Sequence, residues 1–486
     1  MALLDGTGWH GKVFSDGWTT SSGGDAPVTE PATGDELARA GSADAADVDR
    51  AVASAAAAQT AWAATNFEER AAVLRAVGRI FEEQADHLRD WIVRETGGIP
   101  PKADLELHVA AQECFEAAAL TSAPLGEIIP SAQPRLSLVR RRPVGVVGVI
   151  SPFNFPLILS IRSVAPALAL GNAVVLKPDP RTSVTGGLMI ARAFEEAGLP
   201  SGLLHVLPGG VEAGQALVEH PGVRVISFTG STAAGRKVGE AAGRLLKRAH
   251  LELGGNSALV VLDDADLDLA VSAGAFGSFM HQGQICMTTG RHLVHESVAD
   301  EYVGRLVEHA QALPVGDPFR EQVALGPLID AGQRDRVHSL VTASVESGAK
   351  VLAGGEYDEL FYRPTVLDGV TGDTPAYAQE VFGPVAPVLR FADLEHAAAL
   401  ANGTEYGLSL GILTRDVMKA YELAERIPSG IVHINDQTVG DEAVAPFGGV
   451  GASGTGSRFG GAAANVEAFT ETQWLTLQAA ITPYPF

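Results

Sequence analysis

The chain has 486 residues, 46% of them hydrophobic, with a formal net charge of −23 and a pI near 4.9. That length exceeds one ordinary core, so two or three domains are expected. The negative field repels phosphate backbones and anionic lipid, which argues against nucleic acid and membrane surfaces as partners and leaves small molecules.

The opening MALLDGTGWHGK lacks a basic, then apolar, leader, and no apolar run reaches the roughly 18 residues a membrane span requires. With two cysteines, Cys114 and Cys286, the expected setting is a reducing cytoplasm. Residues 1–45, rich in Gly, Asp, Ser and Pro, read as an irregular leading arm with short strand-like pieces such as 11–14. Helical periodicity follows over 45–64, 67–96 and about 101–121. Cys114 falls in the last of these, among Ala and Glu, and reads as packing. Residues 126–129 and 135–142 then read as two exposed strands of a projecting hairpin.

From 143 to 253, strands at 144–150, 173–176, 203–207, 223–228 and 250–253 alternate with helices from about 157 and at 183–197, 212–220 and 233–247. Short apolar strands spaced by helices predict a parallel, doubly wound sheet that binds ligands at the strands' C-terminal ends. A second alternating series has strands at 258–262, 292–295, 385–391 and 411–413, with helices around 298–312, 331–348, 394–401 and 416–426. The tail, 471–486, alternates Trp474, Thr476 and Gln478 and reads as a late strand. The fold class is therefore α/β. A doubly wound parallel-sheet cofactor domain takes 1–123 and 144–251, and a second α/β catalytic domain takes 252–467. A small β oligomerisation arm takes 124–143 and 468–486. Its strands have no partner in either domain, which points to pairing between subunits through sheet edges.

Candidate chemistry clusters in a few short stretches. Cys286 stands in the polar, Gly-broken Met280–Met287 segment, where backbone N–H groups favour a thiolate nucleophile. Glu252 is a carboxylate inside an apolar strand before Gly254-Gly255, where burial raises it toward the range of a general base. Asn154, at the end of the first buried strand between prolines and aromatics, offers an amide N–H to an oxyanion; a plain turn residue is the alternative. Gly230 and Ser231 lie where a strand opens into a helix, a place suited to a pyrophosphate or to a purely structural turn. Lys177, in Lys-Pro-Asp-Pro at a strand end, suits a ribose or phosphate contact or ordinary solvation. No metal site is expected.

Together these stretches resemble the aldehyde dehydrogenase superfamily from end to end. Asn154 in N-F-P, Lys177 in K-P, F-T-G-S at 228–231, E-L-G-G-N at 252–256, G-Q-x-C at 283–286, E-V-F-G-P at 380–384, Asn435 and P-F-G-G-V-G-A-S-G at 446–454 stand in the family's order. The runs N-F-P-L-I-L-S-I-R-S, K-P-D-P-R-T and F-M-H-Q-G-Q-I-C-M look most like the branch acting on benzaldehyde-type aldehydes such as vanillin. The resemblance implies that Cys286 attacks the aldehyde, Asn154 and the Cys286 N–H hold the oxyanion, and Glu252 activates water to hydrolyse the thioester. It also implies that Lys177 and Glu380 hold the cofactor's riboses, Gly230 and Ser231 its pyrophosphate, and Phe382 the nicotinamide side. A dimer or pair of dimers is the implied assembly.

Two departures matter. Phe153 replaces the family's usual tryptophan, and Pro180 stands where a glutamate commonly binds the adenosine ribose, with Asp179 beside it. NAD or NADP is therefore the expected cofactor, NAD slightly favoured. Phe155, Ile158, Arg162 and Ile285 are candidate substrate contacts. Asn154, Ile158 and Arg162 are spaced to share one helix face, with Arg162 reaching a polar ring substituent or forming a surface or subunit-interface salt bridge. His281, five residues before Cys286, invites a thiol–imidazole dyad that Glu252 makes unnecessary. The rival functions are a CoA-acylating dehydrogenase, which has no need of a base for water, and a non-catalytic structural protein on the same fold.

Overall fold

The computed structural model describes residues 3–6 and 8–486. Val146–Ile150, Ala173–Lys177 and Val223–Thr229 are rich in β-branched residues and almost wholly buried, as inner strands of a parallel sheet covered on both faces must be. They sit in a seven-stranded sheet ordered Arg248–Glu252, Val223–Thr229, Val146–Ile150, Ala173–Lys177, Leu204–Val206, Val13–Phe14, Trp18–Thr19. The first five run parallel. From Val146–Ile150 the chain winds to one side, then returns to lay Val223–Thr229 on the other. The order therefore reverses between these two strands, and a crevice opens at their C-terminal ends.

The leading arm bears out the strand-like piece at 11–14, which contains the strand Val13–Phe14, and is otherwise more ordered than the irregular segment expected. Val13–Phe14 and Trp18–Thr19 extend this sheet antiparallel at its edge, and Asp25–Thr29 pairs with Glu36–Gly41 as a hairpin. Two-residue strands have no period to read; the sheet edge that receives them decides their conformation.

A second seven-stranded sheet runs Lys350–Ala353, Thr365–Asp368, Val385–Phe391, Thr289–His295, Ser257–Val261, Ser409–Leu413, Ile431–Ile434, parallel except at its first pair. Along Ser257–Val261 and just beyond, Ala258, Val260 and Leu262 enter one core while Leu259 and Val261 enter another. This alternation buries both faces. The residues singled out on this sheet sit at its N-terminal edge. Cys286 precedes Thr289–His295, and Glu380 and Phe382 precede Val385–Phe391. That edge meets the C-terminal edge of the first sheet.

The core around the first sheet also takes in Phe459, Ala468 and Phe469, so the chain returns to that layer near its end. Thr470–Leu477 then pairs antiparallel with Leu136–Pro143, which pairs with Gly126–Ile128. The tail and the hairpin thus find each other. The late strand is shorter than expected: it ends at Leu477, and residues 478–486 are irregular and exposed. Pro483 and Pro485 remove two ladder donors there. Among the described residues no helix is long and apolar enough to cross a membrane.

Candidate active site

The helix Leu267–Phe279 ends in a tight reversal, Met280–Gly283, where His281, Gln282 and Gly283 all have positive φ (46°, 55° and 66°). Holding two non-glycine residues left-handed is strained, and outside contacts fix them. Gln282 Nε2 donates to Gly97 O and Pro327 O, both at 2.8 Å, and Ile329 N donates to Gln284 Oε1 at 3.1 Å. A side chain at Gly283 would collide with Gly383 O, and one at Gly255 with Cys286 O. The reversal delivers a half-buried Cys286.

Two cavities meet at that sulfur. One, about 690 Å³, is lined by Phe155, Ile158, Arg162, Ile285, Phe447 and Cys286 among others. The other, about 420 Å³, runs past Phe153, Lys177, Ser231, Glu380 and Phe382. Asn154, Leu159 and Cys286 belong to both. A third space, about 680 Å³, continues the second outward and shares Lys177, Asp179, Arg181 and Val211 with it. A groove of dinucleotide size thus leads along the first sheet's C-terminal crevice to Cys286, and a separate apolar chamber arrives from the other side. That convergence is what a reaction between a small substrate and a nucleotide carrier at one sulfur requires. The profile of the aldehyde dehydrogenase family matches residues 18–475.

The chain belongs to the aldehyde dehydrogenase family.

Its relatives include a vanillin dehydrogenase of Amycolatopsis, 68% identical over the whole of both chains. A benzaldehyde dehydrogenase [NAD(+)] of Pseudomonas putida is 51% identical over 98% of each. Among solved structures, a salicylaldehyde dehydrogenase from Pseudomonas putida G7 complexed with salicylaldehyde superposes with a TM-score of 0.94 at 37% identity. That match covers 98% of this chain and 99% of the other.

In this aldehyde dehydrogenase the groove fits a nicotinamide dinucleotide. Lys177 is a mostly buried ammonium whose hydrogen bond, to Pro178 O, is long at 3.3 Å. Ser231 caps the helix Thr232–Arg244, its Oγ accepting from Ala234 N at 3.3 Å, and the free N–H groups of that terminus favour a pyrophosphate. Glu380 accepts from Gly255 N at 3.0 Å; burial pushes its carboxyl up to about 7. Phe382 packs edge-on against Phe153 at 5.8 Å, with Arg181 stacked 4.1 Å above the Phe153 ring. Asp179 is engaged by Arg181 through both carboxylate oxygens, at 2.9 Å each, and against its burial this pairing holds the carboxyl below its usual range.

Asn154 lies in the turn before the helix Pro156–Ala169, not on the helix face expected. Its Nδ2 donates to Gln284 O at 2.8 Å, which ties the amide to the Cys286 loop and leaves the second N–H. Burial, then the charges of Glu380 and Glu252, push the Cys286 thiol up to about 12. The resting sulfur is therefore protonated. Glu252 ends the first sheet's edge strand, buried, with neither carboxylate oxygen held by another side chain. It lines neither cavity but is near enough for its charge to act on Cys286. Burial raises it well above the ordinary carboxylate value, with Arg458, Arg162 and the Gly449 N–H pulling the other way.

The salt bridges of Arg162 are internal to the chain, not on its surface. It is buried within the chain, paired with Glu113 at 2.9 Å and with Asp441, and stacked 4.9 Å over Phe447. These partners lie 49 and 279 residues away in sequence, out of reach of any local pattern. His281 makes no dyad. Its ring packs edge-on against Phe155 at 5.5 Å, it lines neither cavity, and burial with the Lys102 ammonium holds it well below its ordinary value. The sequence also gave no sign of Lys102 and Glu106. This fully buried pair, at 2.5 Å, places a carboxylate on Leu157 N at 2.8 Å, capping the Pro156–Ala169 helix beside the chamber.

Proposed function

We propose that this enzyme oxidises an aromatic aldehyde of the benzaldehyde or vanillin type to its carboxylic acid. The carrying observation is the chamber wall beside Cys286. Phe155, Ile158, Ile285, Met287 and Phe447 form a continuous apolar cluster around a space large enough for a substituted ring. The vanillin, benzaldehyde and salicylaldehyde dehydrogenases among its relatives support the same class.

Glu252 in its charged form takes the Cys286 thiol proton through an intervening water and passes it to solvent; Cys286 Sγ then bonds the aldehyde carbon as the carbonyl π pair moves onto oxygen, and the second Asn154 N–H and the Cys286 backbone N–H stabilise the oxyanion. NAD(P), when bound, would supply the hydride acceptor that oxidation of the thiohemiacetal to the thioester needs. Glu252 then takes a proton from water, whose oxygen adds to the thioester carbon as the C–S bond breaks. Lys177 and Glu380 would hold the riboses and Gly230 and Ser231 the pyrophosphate, with Phe382 closing the groove's apolar wall. A fixed carboxylate at Asp179 favours the ribose hydroxyls of NAD. Arg181, which neutralises it, lets NADP serve at lower kcat/KM.

Arg162 reads the ring. Its Nη1 is buried without a partner at the wall of the chamber, a donor for a hydroxyl or methoxy oxygen. Equal kcat/KM ratios for hydroxylated and plain benzaldehydes in Arg162→Lys and the wild type would remove this role. The exposed Trp474 and Ile128 on the three-stranded sheet support assembly into dimers or pairs of dimers. The deciding assay follows A340 with benzaldehyde and vanillin, with NAD or NADP, with and without CoA. A rate that requires CoA would replace hydrolysis with acyl transfer, and a rate surviving in Cys286→Ala would discard the nucleophile.

A further inference from the structure

The strip from Phe447 to Phe459 folds back on itself and over the end of the Arg248–Glu252 strand. Leu253 N donates to Ser453 O at 2.9 Å, and Glu252 bridges to Gly454. Gly448 marks the closest approach. A methyl group built there would stand 2.7 Å from Glu252 Oε1 and 2.9 Å from Arg458 Cδ, so those two atoms are at most 5.6 Å apart. Only glycine, here at φ 151°, lets the arginine stem and the carboxylate come so close. Arg458 is clamped in turn by the strip's own backbone, Nη1 donating to Gly449 O at 3.0 Å and to Ser457 O at 2.9 Å. Those acceptors are neutral carbonyls, so they orient the guanidinium without compensating its charge.

Among the described residues, the other groups around Glu252 do not supply a free cation. From the Pro156–Ala169 helix comes Arg162, already shared between Glu113 and Asp441. From the nucleophile loop comes Cys286, a protonated thiol at rest. On its own strand, His250 bonds Ala468 O at 2.9 Å, and burial holds its ring down at about 4, uncharged. A carboxyl so enclosed stays protonated unless a positive charge faces it, and a protonated carboxyl cannot accept a proton from water.

Resting on the reading of Glu252 as the base, we infer that Arg458 is its positioning residue, the nearby cation that favours the charged form of the carboxylate while the thioester awaits water. Arg458 touches neither substrate nor cofactor in this role. It acts through Glu252 alone, and Gly448 is small so that it can.

The test measures acyl-enzyme decay directly, by acid quench and the mass of the Cys286-bearing peptide, from pH 5 to 9. It compares wild type with Arg458→Met, Arg458→Lys and Glu252→Gln. Arg458→Met is expected to form the acyl-enzyme normally but to move the acid limb of its decay upward by about one pH unit, roughly a tenfold loss below the limb. Arg458→Lys is expected to restore the limb, and Glu252→Gln to slow decay at every pH. A limb that stays put in Arg458→Met, with Glu252→Gln still slow, overturns the inference alone. Normal decay in Glu252→Gln overturns the reading of the base and the inference with it. An Arg458→Lys limb displaced as far as that of Arg458→Met shows that charge is not what acts, and also overturns it. If Arg458→Met does not accumulate folded, Arg458→Gln against Arg458→Lys carries the same comparison.

Discussion

Arg162→Met is expected to unfold far more easily than a surface arginine variant, for a reason that can be worked through. Arg162 and Glu113 have side chains only 3% and 1% exposed, whereas Asp441 is 21% exposed. Deleting the guanidinium leaves Glu113 buried beside an apolar thioether. Breaking a buried pair from one side costs about 3–5 kcal/mol, a large part of the roughly 5–15 kcal/mol that holds a folded domain. Burial already raises the Glu113 carboxyl, and Arg162 pulls it back; without Arg162 it rises further. The folded variant then keeps Glu113 protonated while the unfolded chain ionises it, so the deficit grows as pH rises above the ordinary carboxylate range and shrinks as pH falls. Adding Glu113→Gln removes the buried ionisable group and should recover more than half of the loss, since Asp441 can reach water. Urea midpoints of the three proteins at pH 5.5 and 8 decide it. A loss under about 1 kcal/mol, or a double variant no more stable than the single one, would show that the pair does not hold the helix in place.

A methyl group at Gly254 overlaps Glu380 Oε2. Gly254→Ala should therefore displace that carboxylate from the groove and raise the cofactor KM about tenfold or more, the loss of one charged hydrogen bond, with the melting temperature nearly unchanged. Glu95 accepts from Val184 N at 2.9 Å and Thr185 N at 2.7 Å, and burial pushes it up to about 7. Its contribution is complete below the unfolded value near 4.5 and lost as pH rises through 7. The stability of Glu95→Gln relative to wild type should accordingly improve between pH 4.5 and 7, read from denaturation midpoints. Cofactor binding should strengthen as pH rises through about 7, where Glu380 ionises and becomes a better acceptor for ribose hydroxyls. Titration calorimetry with NAD at pH 6 and 8 measures this, and Glu380→Gln should abolish the difference.

What the sequence disclosed, and what it withheld, follows from the range of the interactions. Runs such as Val146–Ile150 and Val223–Thr229 announce themselves because a strand buried on both faces must be apolar throughout. Cys286, Glu252 and Gly254-Gly255 were visible because each breaks a local pattern. Lys350–Ala353 and Thr365–Asp368, four residues each, carry too few side chains for a period to show. The left-handed turn at His281 and Gln282 runs against the local preference of both residues, and distant carbonyls at Gly97 and Pro327 stabilise it. Asn154 appeared to continue a helix because spacing alone cannot tell the residue before the first turn from one inside it. The partners of Arg162 and the clamp on Arg458 come from other parts of the chain and become visible only once the fold brings them together.

The sulfur hangs from the N-terminal edge of one sheet and the carboxylate from the C-terminal edge of the other, so the distance between them is set by how the two halves of the molecule seat on each other. Substitutions along that seam, Leu251 to Leu253 against Ser453 to Thr455, are therefore expected to lower turnover without meeting a reactant. In a random mutational survey, inactive but well-folded proteins should accumulate along this line as densely as in the chamber itself.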